Sequence, residues 1–265
     1  MKIKIDKICK SFKNNKEINE VLKDISFEVN EGEFVCLLGP SGCGKTTLLT
    51  IIGGFKEANS GEITVGDNIV KGPGVDRGFV FQNYALFPWM NIEKNILYPM
   101  KQQKMPKDEQ KKRLKELLEM SKLTGKEKMY PGQLSGGMKQ RTAVIRALAC
   151  RPKVLLLDEP LGAVDFQMRK ILQEEMESIF LKDKTTAIMV THDVDEAVYM
   201  SDRVIVMSTD KGRVISDLKI DLERPRDRSC EKYLGYKEEL TEILKDALGY
   251  EDKKIKSEEI NDKSI

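Results

Sequence analysis

The sequence predicts an α/β fold, and three observations predict it. Short β-type runs recur along the chain, several almost wholly apolar, as in strands of a sheet covered on both faces. Between and after them lie stretches with leucines at helical spacing. One run, Glu33-Phe34-Val35-Cys36-Leu37-Leu38, leads straight into a glycine-rich loop that opens a helical stretch, Gly39-Pro40-Ser41-Gly42-Cys43-Gly44-Lys45-Thr46.

The β-type runs are 3–8, 25–29, 33–38, 62–65, 79–81, 154–157, 185–190, 204–207 and 214–218. A helix over 46–52 follows the loop and is closed by Gly53-Gly54. From Gln82 to Cys150 the character turns helical, and 107–121 carries Leu114, Leu117 and Leu118 on one face among surface charges. This region reads as a helical insertion into an α/β core. After Pro225 an amphipathic stretch, Tyr236 to Leu248, places Leu240, Ile243, Leu244 and Ala247 together, and from Glu251 the chain is charged and expected to fray. No internal repeat interrupts this order.

A chain of 265 residues with 40% hydrophobic content buries a full core, read as one domain with a subdomain. Lys plus Arg number 45 against 43 Asp plus Glu, without the positive excess that marks nucleic-acid binders, so nucleic acid is not an expected partner. No apolar run approaches the roughly 18 residues that span a bilayer. Met1 to Asn15 is broken by lysines and holds no signal-peptide core, which predicts a cytosolic chain. The five cysteines have no paired metal spacing and read as reduced thiols, with Cys43 a small residue that fits its loop.

The chemistry begins at the loop. Glycines at 39, 42 and 44 let backbone N–H groups converge on an anion where a helix begins, Lys45 would reach the β- and γ-phosphates, Thr46 would offer its hydroxyl to Mg²⁺, and Thr47 would touch the α-phosphate. Val154-Leu155-Leu156-Leu157-Asp158-Glu159-Pro160 is a strand ending in two carboxylates, at the sheet edge where open α/β sheets bind ligands. Asp158 would hold Mg²⁺ and Glu159 would polarise the attacking water. His192, the only histidine, follows another apolar run and would emerge at the same edge, contacting the γ-phosphate and holding the water in line with Glu159. Leu134-Ser135-Gly136-Gly137-Met138-Lys139-Gln140-Arg141 precedes a helical run and makes a second anion site. By itself it reads equally well as a serine-capped helix with no ligand. Two phosphate-binding elements with one lysine-bearing loop suggest that the second serves the nucleotide of another copy, in a two-fold, head-to-tail dimer with two ATP molecules between subunits.

At this point the chain resembles the ATP-binding subunits of ABC transporters over about residues 1–225. The resemblance implies a P-loop, RecA-like core with an antiparallel β subdomain and a helical subdomain at about 83–150, followed by a C-terminal helix and tail over 226–265. It identifies Gly39 to Thr46 with the Walker A motif, Leu134 to Gln140 with the signature and Val154 to Glu159 with Walker B. It makes Gln82 the lid-loop glutamine, counted with the catalytic and metal-facing residues, Asp165 a D-loop residue at the dimer seam and His192 the switch histidine. Phe12 stands where the family stacks an aromatic ring on adenine. Asp76 to Gln82, Leu86-Phe87-Pro88-Trp89, Leu161-Gly162-Ala163 and Arg224-Pro225-Arg226 are similar to ATPase subunits of nitrate, sulfonate and taurine importers.

The resemblance thus implies an ATPase, with ATP and Mg²⁺, that energises uptake of a small solute from the cytoplasmic face of the membrane. Its implied partners are transmembrane permease subunits, a second ATPase subunit and, indirectly, an extracytoplasmic solute-binding protein. The stretch Gln82 to Tyr98, with the only tryptophan, Trp89, is the expected contact with the permease; the alternative is that Trp89 packs inside the helical subdomain. An exporter subunit shares the same motifs. A DNA-repair ATPase would need room for a coiled coil between Lys45 and Asp158, a two-cassette translation factor a second signature, and a kinase would not need Leu134 to Gln140.

Overall fold

The structure is a computed structural model that describes residues 2–14, 17–162, 166–183 and 185–248. It divides into two compact units, the first made of 1–71 and 190–265 and the second of 72–189.

In the first unit, β1 (Ile3–Asn14) lies between β2 (Glu17–Val29) and β4 (Ser60–Val65), antiparallel to both, with Ile3 opposite Val29 on one side and Val65 on the other. The short β5 (Asn68–Ile69) pairs with the end of β4. Ile3, Ile5, Ile8, Leu22, Ile25, Val29 and Val65 are buried, so alternate positions of these strands supply one apolar face. This is the antiparallel β subdomain.

The same unit holds the strand that feeds the glycine-rich loop. β3 (Phe34–Leu38) is buried at every position and runs parallel to β9 (Arg203–Met207), which in turn pairs antiparallel with β10 (Val214–Lys219). Helix α1 (Lys45–Ile52) leaves the loop from Gly44, whose φ of 99° is reached without strain only by glycine. The unit is completed by α6 (Val194–Met200) and the C-terminal helix α7 (Glu231–Ala247). Leu240 and Ala247 of the expected α7 face are buried, and Ile243 and Leu244 are half-buried. The helix begins five residues earlier than its periodicity predicts, because Gly235, a poor helix former, interrupts the pattern and Cys230 at the N-cap offers no side-chain cap.

The second unit pairs β6 (Arg77–Val80) with β7 (Val154–Asp158) in parallel, Val80 opposite Leu157. Between them the chain forms the helical insertion. It comprises α2 (Ile92–Gln102), α3 (Lys107–Met120), a short 3₁₀ turn at Pro131–Gln133, and α4 (Gly136–Leu148). Leu117 and Leu118 of α3 are buried, as their spacing predicts, and Leu114 is half-buried. Helix α5 (Phe166–Asp183) follows β7, and the fully buried β8 (Thr186–Thr191) carries the chain back into the first unit. Among the described residues no helix is long and apolar enough to cross a membrane.

Candidate functional site

The loop before α1 turns where its glycines allow. Gly42 and Gly44 have φ of 83° and 99°. At Gly39 a Cβ would lie 2.5 Å from the Met207 carbonyl oxygen and 2.9 Å from Cys43 Sγ, so this glycine is demanded by the approach of β9. The Lys45 side chain is buried and its ammonium donates to the carbonyls of Gly39 and Pro40, each at 2.7 Å, closing the loop on itself. Ser41, Gly42 and Thr46 are exposed, and Thr47 is half-buried. Cys43 is buried, and removal from water pushes its thiol above the ordinary value although the charge of Lys45 opposes the shift. That agrees with a small residue filling space. All five cysteines are free thiols.

Two supports of the loop carry no signal in the local sequence. A Cβ on Gly44 would meet Leu22 Cδ2 at 2.7 Å and the Val21 carbonyl at 3.0 Å, and one on Gly212, whose φ is 59°, would meet the Cys43 and Val21 carbonyls at 2.6 Å. The loop is therefore walled by β2 and by the turn between β9 and β10. Phe12 lies on β1 with 38% of its surface exposed, and the ammonium groups of Lys10 and Lys56 sit 5.4 and 5.3 Å from its ring centre.

His192 is exposed at the end of β8, between Thr191 and Asp193, the N-cap of α6. Thr191 Oγ1 accepts from the Asp193 amide at 3.1 Å and donates to buried Glu196 at 2.5 Å, while Asp193 Oδ1 accepts from the Glu196 amide at 3.2 Å. The histidine thus stands on a turn tied at both flanks to one carboxylate residue.

The second unit brings together Gln82 and Glu159. Asp158 ends β7 and is buried; Glu159 follows with φ of 42°, a left-handed conformation that costs a non-glycine residue on the order of 1 kcal/mol. Gln82 Nε2 donates to Glu159 Oε2 at 3.4 Å. After Gln82, Tyr84 and Ala85 are also left-handed, with φ of 63° and 45°, and both their carbonyls accept from the Arg146 guanidinium of α4, at 3.0 and 2.7 Å. The loop that bears Gln82 is thereby fastened to the helix that begins at the serine-glycine element.

At the start of α4, Ser135 is the N-cap and its hydroxyl accepts from the Met138 amide at 3.3 Å. Gly136 opens the helix and is exposed; Gly137 is buried, and a Cβ there would meet Leu172 Cδ2 of α5 at 2.8 Å. Packing against α5 is thus a reason for Gly137 that the anion-site reading leaves out. Asp165 lies outside the described residues.

Trp89 is 69% exposed, which answers the alternative that it packs inside the helical subdomain. Its ring leans on Phe87, centroids 5.6 Å apart, and Phe87 meets Tyr98 edge-on at 4.9 Å. The loop is held by Asn95 of α2, which is fully buried. Asn95 accepts from the Phe87 amide at 2.9 Å and donates to the Phe87, Met90 and Asn91 carbonyls. Beside it lies a groove of about 410 Å³ lined chiefly by Phe81, Ala85, Phe87, Tyr98, Pro99 and Arg146.

Residues 22–162 match the family model described as ABC transporter. The chain is 47% identical over 246 residues to an uncharacterized ABC transporter ATP-binding protein of Methanocaldococcus jannaschii, covering 93% of this chain and 92% of that protein. It is 42% identical over 234 residues to the aliphatic sulfonates import ATP-binding protein SsuB of Bacillus cereus, covering 88% and 92%. Its fold matches a solved dimeric ATP-binding cassette in a post-hydrolysis state bound to ADP and Pi, with a TM-score of 0.71 and 32% identity over 82% of this chain and 98% of that one. By these likenesses the chain is a member of the ABC transporter family, an ATP-binding cassette with ATPase activity.

Proposed function

We propose that this chain energises the uptake of a small solute, such as nitrate, a sulfonate or taurine, through separate membrane subunits. Residues 1–225 form its nucleotide-binding domain, with 83–150 the helical part and 226–265 the C-terminal helix and tail. Two copies act as a head-to-tail dimer at the cytoplasmic face of the membrane, joined to transmembrane permeases that receive solute from an extracytoplasmic binding protein. The single observation that carries this reading is the exposed aromatic loop of Phe87 and Trp89, braced from within by Asn95 and set beside an apolar groove in the unit that also carries Gln82 and Glu159. Exposed aromatics over a groove are the usual anchors of a protein partner. The likeness to a sulfonate importer's subunit supports import.

For hydrolysis, Phe12 stacks on adenine, and the loop Gly39 to Thr46 with Thr47 holds the phosphates, Lys45 exchanging its loop carbonyls for phosphate oxygens. Ser135, Gly136 and Gly137 of the partner copy complete the γ-phosphate site, with Asp165 at the seam. Water attacks the γ-phosphorus, its proton passes to Glu159, and the bond to the bridging oxygen breaks with the electron pair leaving on ADP. His192 and Gln82 hold the water and phosphate in line, positioning being most of catalysis in phosphoryl transfer. The donors suit Mg²⁺, a hard cation that takes few protein oxygens beside phosphate and water: the Thr46 hydroxyl, the Asp158 carboxylate and the Gln82 amide oxygen. When bound, Mg²⁺ would neutralise charge on the phosphates.

Glu159→Gln tests the chemistry. It should bind ATP, lose hydrolysis and accumulate an ATP-bound dimer; turnover at the parental rate would remove Glu159 as the base. The transport reading is tested by tagging the chain in its own cell and identifying what copurifies from gently solubilised membranes. Polytopic subunits together with a solute-binding protein are expected, and membrane subunits lacking any binding protein, or ribosomes, would overturn import.

A further inference from the structure

Helix α6 has only seven residues, too few to hold itself in place, and it is gripped from three sides. At its start Glu196 ties Thr191 and Asp193, the neighbours of His192. At its end Arg226 donates to the Val198 and Tyr199 carbonyls, and Arg224 to the Met200 carbonyl at 2.8 Å and to Asp202. In its first turn Asp195 is the centre of a third grip made by α7 and the segment before it. Asp195 Oδ1 accepts from Lys237 Nζ at 2.7 Å and from the Tyr233 hydroxyl at 3.1 Å, and Oδ2 pairs with Arg228, whose guanidinium lies 3.7 Å from the centre of the Tyr199 ring. Tyr233 itself is fully buried, and the Asp195 carbonyl lies 3.2 Å from the same hydroxyl, whose one proton the two Asp195 oxygens share.

We infer that α7 is a positioning device for the hydrolytic site: Lys237 and Tyr233 fix Asp195, and through α6 they set the Thr191–Asp193 turn that presents His192. The route is short. Asp195 adjoins Glu196, the residue that holds both flanks of the histidine, so a shift of the first turn of α6 moves the imidazole with it. A displacement of about 1 Å in a positioned group is enough to cost turnover. The inference rests on the role given to His192 above. A helix that merely covered apolar surface would place Tyr233, Leu240 and Ala247 against the unit and have no need of a buried tyrosine hydroxyl and an ammonium converging on one carboxylate.

The test uses the full chain carrying Lys237→Met with Tyr233→Phe, which keeps the apolar bulk of both side chains. Because His192 is the only histidine, histidine-selective isotope labelling yields one imidazole in the spectrum. The variant should shift or broaden that resonance and lower kcat for ATP by roughly three- to tenfold, leaving KM for ATP within about twofold. Lys237→Arg should restore most of the rate. In a His192→Ala background the same pair of substitutions should add no further loss. An unmoved imidazole resonance, or losses that multiply fully with His192→Ala, would overturn the inference. If His192→Ala alone left kcat unchanged, the catalytic role of His192 would fall instead, and the resonance would still decide whether α7 holds the imidazole.

Discussion

Gly39 and Gly137 both sit where a methyl group would collide, yet the collisions differ in kind. At Gly39 the obstacle is the Met207 carbonyl, part of a strand that cannot retreat. At Gly137 it is the tip of the Leu172 side chain, which can turn aside. Gly39→Ala should therefore destabilise the protein by about 2–3 kcal/mol and abolish ATP binding, and Gly137→Ala should cost less than about 1 kcal/mol, both measured by denaturant unfolding. An equal cost at the two positions would mean that α5 is held more rigidly than its leucine suggests. The glycine-rich loop was legible in the sequence because its parts are contiguous: a buried strand, spaced glycines, a lysine and a helix start. Its walls were not, since Val21, Leu22 and Gly212 come from distant segments and no local spacing links them.

Elements show the same division between local pattern and remote partner. Strands β3, β7 and β8 are fully buried and announced themselves as apolar runs, whereas α2 carries Pro99 in its interior and α7 carries Gly235, which blurred both helices. The first turn of α7, which its periodicity does not mark, contains Tyr233, one of its contacts with α6. Within α2, Asn95 holds the Trp89 loop by its side-chain amide. Asn95→Leu would leave the Phe87 amide and the Met90 carbonyl without the side-chain partner and should lower stability by about 2–3 kcal/mol while loosening that loop, read by denaturant unfolding and by protease cleavage near Trp89. At the junction of α6 and α7, burial resists ionisation of Asp195, but the hydrogen bond from Lys237, the charges of Arg228 and Lys237 and the Tyr233 hydroxyl outweigh it, and the carboxyl is held below the ordinary aspartate value of 3.8. Stability from this grip is therefore complete above pH 3.8 and is lost as the pH falls through the lower folded value. The stability difference between the parent and Asp195→Asn should be constant near neutrality and shrink only below about pH 3.8, as followed by unfolding at stepped pH.

For the molecule as a whole, the order of motifs along the chain makes the family legible in the sequence, because each motif is short and local and their order is restrictive. What joins them was not legible: the Arg146 link between the Gln82 loop and α4 and the grip of α7 on α6 pair residues far apart in sequence, and the Asn95 brace, though local, follows no helical or strand spacing. One consequence of the aromatic loop concerns how the assembled machine is to be watched. Trp89 is the only tryptophan, and most of it faces water, so the whole of the chain's indole emission comes from the surface proposed to meet the membrane subunits. Iodide should quench it readily in the free chain, and docking should move it to the blue and shield it, so this protein carries its own optical gauge of engagement without any added label.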